Sequence, residues 1–322
     1  MEVTEAARRL AEGEAIGFPT ETVYGLGADA TNPLAVAKIF ALKGRPSAHP
    51  LIVHIGSPSE LVEWAMDIPP AAHALAESFW PGPLTMILRK SPRVAASVTG
   101  GQDTVGLRCP SHPLAQQLLR EFARIGSGGV AAPSANKFGH VSPTTAEHVR
   151  EEFGPGLPVL DGGACTVGLE STILDLSRGD AVLLRPGAVT REDIAQVMGG
   201  SPRNRDAGAP RAPGMLAAHY APRTALVLVG ASDLESQVRH QSNVAVLALR
   251  EAPHTARVTS WIAASADAAR YGHDLYANLR KLDASGAKRI LVEMPPQSSE
   301  WEAVNDRLTR AAAGAGLLDD ET

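Results

Sequence analysis

Four cations stand in settings that suit oxyanions: Lys43 and Arg45 in Lys43-Gly44-Arg45-Pro46, Arg108 after the apolar stretch Val105-Gly106-Leu107, and Arg185 in Leu184-Arg185-Pro186-Gly187. Lysine is a compact point charge and arginine a rigid fork, and both pair with phosphate or carboxylate oxygens. Hydroxyls and amides accompany them. Thr20 and Thr22 lie in Pro19-Thr20-Glu21-Thr22-Val23-Tyr24-Gly25-Leu26-Gly27, Ser134 and Asn136 in Ala132-Pro133-Ser134-Ala135-Asn136, Ser142 and Thr144 in Ser142-Pro143-Thr144, and Ser171 and Thr172 in Gly168-Leu169-Glu170-Ser171-Thr172. Together they describe a polyanion site. Phosphoryl and nucleotidyl transfer need positioning and charge neutralisation more than a protein nucleophile. Three or four charge-assisted contacts, each about 1.5–3 kcal/mol, hold a triphosphate firmly. No local motif suggests a Ser-His-Asp or Cys-His arrangement, a nucleophile elbow or a metal-binding histidine spacing.

Each cluster taken alone admits a plainer reading. The Lys43 loop could be a solvated basic loop, Arg108 a surface ion pair, Arg185 a surface arginine beside a turn, and His54 a satisfied core histidine in Leu51–Ile55. Ser142 or Thr144 could simply cap a helix that begins near Thr145. Gly25-Leu26-Gly27-Ala28-Asp29-Ala30 formally fits a dinucleotide fingerprint. The next helix starts only at Asn32-Pro33, however, so these glycines do not open it as a pyrophosphate site requires. No phosphate-loop motif occurs.

The elements that must position these side chains follow from local pattern. The spacing predicts a first helix capped by Thr4 and ending at Gly13, then a strand over 15–18. Asn32 as N-cap and Pro33 at the first helical position predict a helix through Val36, Ile39 and Phe40 that ends near Lys43-Gly44. Strands are predicted over 51–55, 84–88, 104–107, 171–176 and 181–184, and helices over 71–79, 113–122 and 145–152. Some connections are too short for a parallel crossover, so the sheet is expected to be mixed. Residues 1–200 read as this α/β domain. Residues 201–223, rich in Gly and Pro, read as a semi-stiff linker that carries Pro213-Gly214-Met215 and His219-Tyr220-Ala221-Pro222. Residues 224–322 alternate strands (225–230, 244–249, 289–293) with helical patterns (266–282, 301–313), as parallel βαβ units do.

The chain has 322 residues, 44% hydrophobic and 20% charged, with a net charge of −5. The length fits two domains. The negative balance argues against a broad nucleic-acid platform, and aromatics at 4% supply no stacking surface. No run of about 18 apolar residues is present, and the N-terminus lacks a secretory pattern. Cys109 and Cys165 fit no metal spacing. They read as small buried side chains in a cytoplasmic, reducing compartment.

In this order, the segments 19–27, 43–46, Pro-Leu-Ile-Val-His (50–54), Phe-Trp-Pro-Gly-Pro-Leu-Thr (79–85), 132–136, 168–172 and 184–187 resemble the threonylcarbamoyl-adenylate synthases of the YrdC type. The linker motifs resemble their long, two-domain form. The resemblance implies a YrdC-like twisted mixed-sheet catalytic domain and a smaller Rossmann-like α/β domain. It implies that L-threonine, bicarbonate and ATP, with Mg2+, give threonylcarbamoyl-AMP and pyrophosphate for the t6A modification of tRNA, a downstream transferase complex completing the transfer. Thr22, His54, Arg108 and Ser171 would hold threonine. Lys43, Arg45, His49, Ser134, Asn136, Ser142 and Arg185 would hold ATP, with Lys43 and Arg45 serving catalysis, and Tyr220 would close the linker over the site. No metal ligands are assigned. His49 stands where the family often has asparagine, and Leu216-Ala217-Ala218 replaces a stretch that is often basic and aromatic. An RNA-binding module without catalysis, or another carbamoyl or nucleotidyl transferase, are the alternatives. The hydrogenase-maturation carbamoyltransferases carry extra cysteines and an acylphosphatase-like region that are missing here.

Overall fold

The computed structural model describes residues 1–254 and 256–316. They divide into two compact units, Met1–Phe138 with Pro143–Met215, and Gly139–Ser142 with Leu216 onward. The division after Met215 falls inside the segment read as a linker.

The first unit is built on a mixed sheet of β1 (Ile16–Phe18), β2 (Gly25–Asp29), β3 (Ile52–His54), β4 (Ala65–Met66), β5 (Leu84–Lys90), β6 (Thr104–Arg108), β7 (Val130–Ala132), β8 (Thr172–Asp175), β9 (Val182–Arg185) and β10 (Arg203–Asn204). The strand order is β1-β2-β7-β3-β6-β5-β8-β9-β10, with β4 paired to β5. β3–β6 and β5–β8 are parallel, whereas β5–β6 and β3–β7 are antiparallel.

Side-chain alternation sorts this sheet into two unlike faces. Val53, Ala131, Val105, Leu107, Leu84, Met86, Leu88, Leu174 and Leu183 point into one large apolar cluster, shared with the helices Pro33–Lys43, Pro70–Phe79 and Ala146–Phe153. The other face is divided. Near β1 and β7, Ile16, Phe18, Val130 and Ala132 pack on the helices Val3–Ala11 and Pro113–Ile125. Near β8 and β9, Ile52, Ile87, Ile173, Val182 and Leu184 form a separate cluster, covered by Ala209, Ala212 and Met215. The start of the supposed linker is thus packed on the first unit. Its residues 203–204 also extend the sheet edge by pairing with β9.

The helix over Pro33–Lys43 begins and ends as its sequence predicts. The Asn32 side chain accepts from the Leu34 and Ala35 amides, and Gly44 takes a left-handed conformation at φ 62°. The first helix differs, because Glu2, not Thr4, is its N-cap and the cap has no side-chain bond. The helix at 146 is capped by Thr145, whose side chain accepts from the His148 amide, rather than by Ser142 or Thr144.

Four strands of this unit, β2, β7 and the two-residue β4 and β10, were not expected. Gly25 and Gly27 make β2 look like a loop in sequence. A Cβ at either position would lie 2.8 Å from Cε1 of Phe18, so the glycines are there to let the Phe18 ring pass.

The second unit carries a parallel four-stranded sheet: β11 (Ala225–Val229), β12 (Val244–Ala248), β13 (Ser260–Ala263) and β14 (Arg289–Glu293), ordered β11-β14-β12-β13. β13 is an addition to the strands expected. No described helix is long and apolar enough to cross a membrane.

Candidate active site

A row of polar side chains occupies the second sheet face, between its two apolar clusters. His54 and Arg108 are register partners on the parallel pair β3–β6. Arg108 continues the antiparallel register that pairs Leu107 with Met86, which brings it opposite Thr85. Thr85 lies beside β8, where its hydroxyl is 2.8 Å from that of Ser171. Arg185 closes the row. Strict alternation would turn Arg185 away with Leu183. A register shift between Ile173 and Leu174 re-aims it. Its Nε and Nη2 donate to the Ser171 carbonyl at 3.1 and 2.9 Å, and Nη2 to the Ser171 hydroxyl at 3.2 Å. Nη1 donates to the Pro213 carbonyl at 3.1 Å. Arg185 therefore ties Ser171 to the start of the linker.

Arg108 is buried, and its partner is Glu21, with Nη2 2.7 Å from Oε1 and both side chains at most 5% exposed. The pair is neither a surface ion pair nor a free clamp. A buried guanidinium needs such a counter-charge, since removing one partner of a buried pair costs about 3–5 kcal/mol. Glu21 also accepts from the Ser111 amide at 3.1 Å. Arg108 Nη1 donates to the Thr22 hydroxyl at 2.8 Å, and Nε to the Gly82 carbonyl at 3.4 Å. Nε and Nη1 use one N–H each, and Nη2, ion-paired with Glu21 but with no hydrogen-bond partner among the described residues, keeps both of its own, so the fork still has donors for a carboxylate.

His54 is 3% exposed, its ring meets Phe18 edge-on at 5.8 Å, and its Nδ1 has no hydrogen-bond partner among the described residues. Burial, reinforced by Arg108, pushes its pKa down to about 3. It is therefore a neutral imidazole with one unpartnered ring nitrogen at the site.

A second group gathers where the helix over Pro33–Lys43 ends. Lys43 is 3% exposed. Its Nζ donates to the Ser134 carbonyl at 2.6 Å and to the Asn136 carbonyl. Burial, then the nearby Arg45 charge, holds its pKa well below the usual lysine range. Arg45 Nη2 donates to the Pro50 carbonyl at 3.0 Å, just before β3. The His49 ring meets Phe138 edge-on at 5.6 Å, and burial followed by Arg45 and Arg211 lowers its pKa. The two groups are linked through the backbone: Ser134 bridges Gly25, and the Ala135 amide donates to the Tyr24 carbonyl at 2.8 Å. Thr22, Lys43, Arg45, Ser134 and Asn136 thus belong to adjoining loops of one unit.

Comparison with known proteins now bears on this geometry. Residues 8–187 match the family model described as telomere recombination, that of Sua5, YciO and YrdC. Residues 189–313 match the one described as the threonylcarbamoyl-AMP synthase C-terminal domain. A threonylcarbamoyl-AMP synthase from Pyrococcus abyssi is 39% identical, over 95% of this chain and 93% of its own. The chain belongs to the threonylcarbamoyl-AMP synthase family. A member from Bacillus subtilis is 40% identical over 97% of this chain and 93% of its own. The crystal structure of P. abyssi Sua5 complexed with L-threonine superposes with a TM-score of 0.88 at 37% identity, covering 97% of this chain and 94% of that one. Like its relatives, this threonylcarbamoyl-AMP synthase family member is an enzyme of nucleotidyl-transfer type.

Two sequence-selected residues lie in the other unit. Ser142 is buried in the four-residue segment Gly139–Ser142. Tyr220 is 1% exposed at φ 61°, with the Arg307 guanidinium 5.2 Å over its ring and Tyr276 5.8 Å away. Sequence reasoning passed over Glu21 and Thr85 as site residues. A signal was available for Glu21, an acid between two threonines ahead of a glycine-rich segment. Thr85 gave none, since a threonine in a strand is ordinary. Both cysteines are buried and free.

Proposed function

We propose that this site joins L-threonine, bicarbonate and ATP into threonylcarbamoyl-AMP and pyrophosphate. The observation that carries the reading is the buried Arg108, already paired with Glu21 yet retaining an open fork, beside neutral His54 and next to the Lys43–Arg45 loop. Arg108 takes the threonine carboxylate. His54, being neutral, does not repel the amine. Ser171, held by Arg185 and Thr85, lines the same face. Lys43 uses two of its three donors on carbonyls and offers the third to a phosphate. Arg45, with His49, Ser134 and Asn136 beside it, completes the nucleotide side.

Threonine's amine and bicarbonate condense to a carbamate with loss of water; the carbamate oxygen attacks the α-phosphorus, and the electron pair of the broken P–O bond leaves with pyrophosphate. Cations near the phosphates lower this barrier by neutralising developing charge, and no protein nucleophile is required. Glu21, the acid beside the row, is bound to Arg108, and no cluster of three metal-ligating side chains occurs among the described residues. This donor set does not fit a protein-held magnesium cage. Magnesium accordingly belongs with ATP, as part of the substrate. The adenylate would then be consumed by a transferase complex that modifies tRNA in the cytoplasm.

Pyrophosphate release from ATP, with mass detection of the adenylate, tests the assignment. Release is expected only with both threonine and bicarbonate. Equal release with serine, or without bicarbonate, overturns it.

A further inference from the structure

The second unit holds a cavity of about 400 Å³ to which none of the candidate-site residues contributes. It lies beside the edge strand β13, between the helix Leu234–His240 and the chain leading into that strand. Val238, Arg239, Pro253, Ala256, Arg257 and Trp261 line it. Cavities of roughly 300–1,000 Å³ hold small ligands when an apolar wall meets a few polar groups. Both are present. Val238, Ala256 and Trp261 belong to the apolar cluster of this unit and form the wall. Arg239 and Arg257 supply the polar groups.

Neither arginine is engaged. Arg250 and Arg289 of the same unit are held by Glu293 and Gln241, at 2.6 and 3.1 Å. Arg239 and Arg257 have neither a hydrogen bond nor an ion pair among the described residues. Glu235 stands four residues before Arg239 on the same helix face and does not pair with it, whereas Arg270 and Asp274 at that spacing close to 2.8 Å. Two unpaired guanidiniums on one cavity, in a chain of net charge −5, make an anion-binding end. The helix's carboxyl end repels an anion, so the arginines alone carry the attraction. Trp261 is the other end. Its Nε1 donates to the Arg250 carbonyl at 2.9 Å, and Glu293 fixes that segment by accepting from the Leu249 amide at 2.9 Å and from the Arg250 guanidinium. No other ring or cation packs on the indole among the described residues. A fixed indole lining a cavity is a platform for one flat base.

We propose that this cavity binds a nucleoside 5′-monophosphate, with its base on Trp261 and its phosphate between Arg239 and Arg257. A phosphate monoester carries about −1.5 to −2 at pH 7 and matches two guanidiniums, whereas a carboxylate matches one. One indole serves one base. A polynucleotide needs successive rings and a broad basic face, so a mononucleotide is the better fit. Which nucleotide it is rests on the synthase reading above. Threonylcarbamoyl-AMP is spent when an acceptor amine bonds to its carbamoyl carbon. The bond from that carbon to the phosphate oxygen breaks, the electron pair stays on oxygen, and AMP leaves. AMP is thus the member of the class that use of the product generates.

Titration calorimetry with AMP, on the full chain carrying Lys43→Met to weaken nucleotide binding at the catalytic site, reads this cavity. Binding is expected with Kd below about 1 mM. Arg239→Gln and Arg257→Gln should each weaken it about tenfold, the scale of one charge-assisted hydrogen bond, and Trp261→Leu by a similar factor. In the otherwise wild-type chain the same three changes should leave kcat and KM for ATP unchanged. Adenosine and inorganic phosphate, each lacking one end of the ligand, should bind at least about tenfold more weakly than AMP. Should Trp261→Leu fail to fold, the two arginine variants decide, since both side chains are exposed. No AMP binding at about 1 mM, unchanged affinity in the double arginine variant, or equal affinity for inorganic phosphate would overturn the proposal. Tighter binding of single-stranded oligoadenylate than of AMP would overturn it in favour of a nucleic-acid surface. Absence of threonine-dependent pyrophosphate release would sink the synthase reading alone, because AMP binding is measured without turnover.

Discussion

Lys43 gives the sharpest test, because a buried ammonium with no carboxylate in contact is held in an unusual protonation balance. Two of its donors meet the Ser134 and Asn136 carbonyls, and its pKa lies well below the ordinary value because burial and then Arg45 disfavour the charge. A triphosphate arriving at the third donor favours the charged form. Nucleotide binding should therefore take up a proton at pH values below the ordinary lysine value of about 10.4. Titration calorimetry with a non-hydrolysable ATP analogue, in buffers of differing ionisation enthalpy, reads this uptake directly. Lys43→Met should abolish it. The variant should also lose one charge-assisted contact, about 1.5–3 kcal/mol, or roughly 10- to 150-fold in Kd. Stability should respond with a definite sign. Unfolded lysine binds a proton up to about pH 10.4 while folded Lys43 releases it earlier, so the unfolded state holds more protons and wild-type stability rises with pH across that window. Lys43→Met should lack this rise. A zero or negative proton uptake in the wild type, or equal uptake in the variant, would refute the argument.

His54 and Gly187 provide two further predictions. With its pKa pushed down to about 3, His54 stays neutral in the fold while the unfolded chain protonates near the ordinary value. Stability should fall as pH drops from about 6.5 to 3, by at most about 5 kcal/mol from this group, and His54→Phe should flatten that slope in urea titrations. Equal slopes would count against a neutral buried imidazole. At Gly187 a Cβ would lie 2.4 Å from the Thr172 nitrogen and 2.8 Å from the Glu170 carbonyl oxygen, so Gly187→Ala must displace the backbone beside Ser171. A loss of about 1–3 kcal/mol and a lower Tm are expected, with weakened threonine use, whereas Gly156→Ala, with nothing within 4 Å, should be near neutral. Matching Tm values for the two variants would refute the clash.

Much of the architecture lay in short-range pattern. Asn32, Pro33 and Gly44 mark both ends of one helix because caps depend on hydrogen bonds within a turn. The alternation Ile52-Val53-His54 indicates a strand with two faces, one of which carries a histidine. Lys43, Arg45, Arg108 and Arg185 stood out in the sequence as candidate oxyanion ligands from their chemistry and their place at element ends. β2 was not, because the reason for Gly25 and Gly27 is the ring of Phe18 and the wall of β7, reached only after folding.

The residue types and their order thus determined the kind of chemistry, a nucleotide and an amino acid met by cations and hydroxyls, and the mixed α/β frame that displays them. Tertiary structure alone decided their state. Thr22 and Arg108 are 86 positions apart, and Glu21 and Ser111 are 90 apart. The bulge that turns Arg185 inward arises between two strands, not within one. Charge, protonation and hydrogen-bond direction depend on which groups share a water-poor space. That is a property of the sheet's middle, where His54, Arg108 and Thr85 come side by side, and sequence neighbours do not encode it.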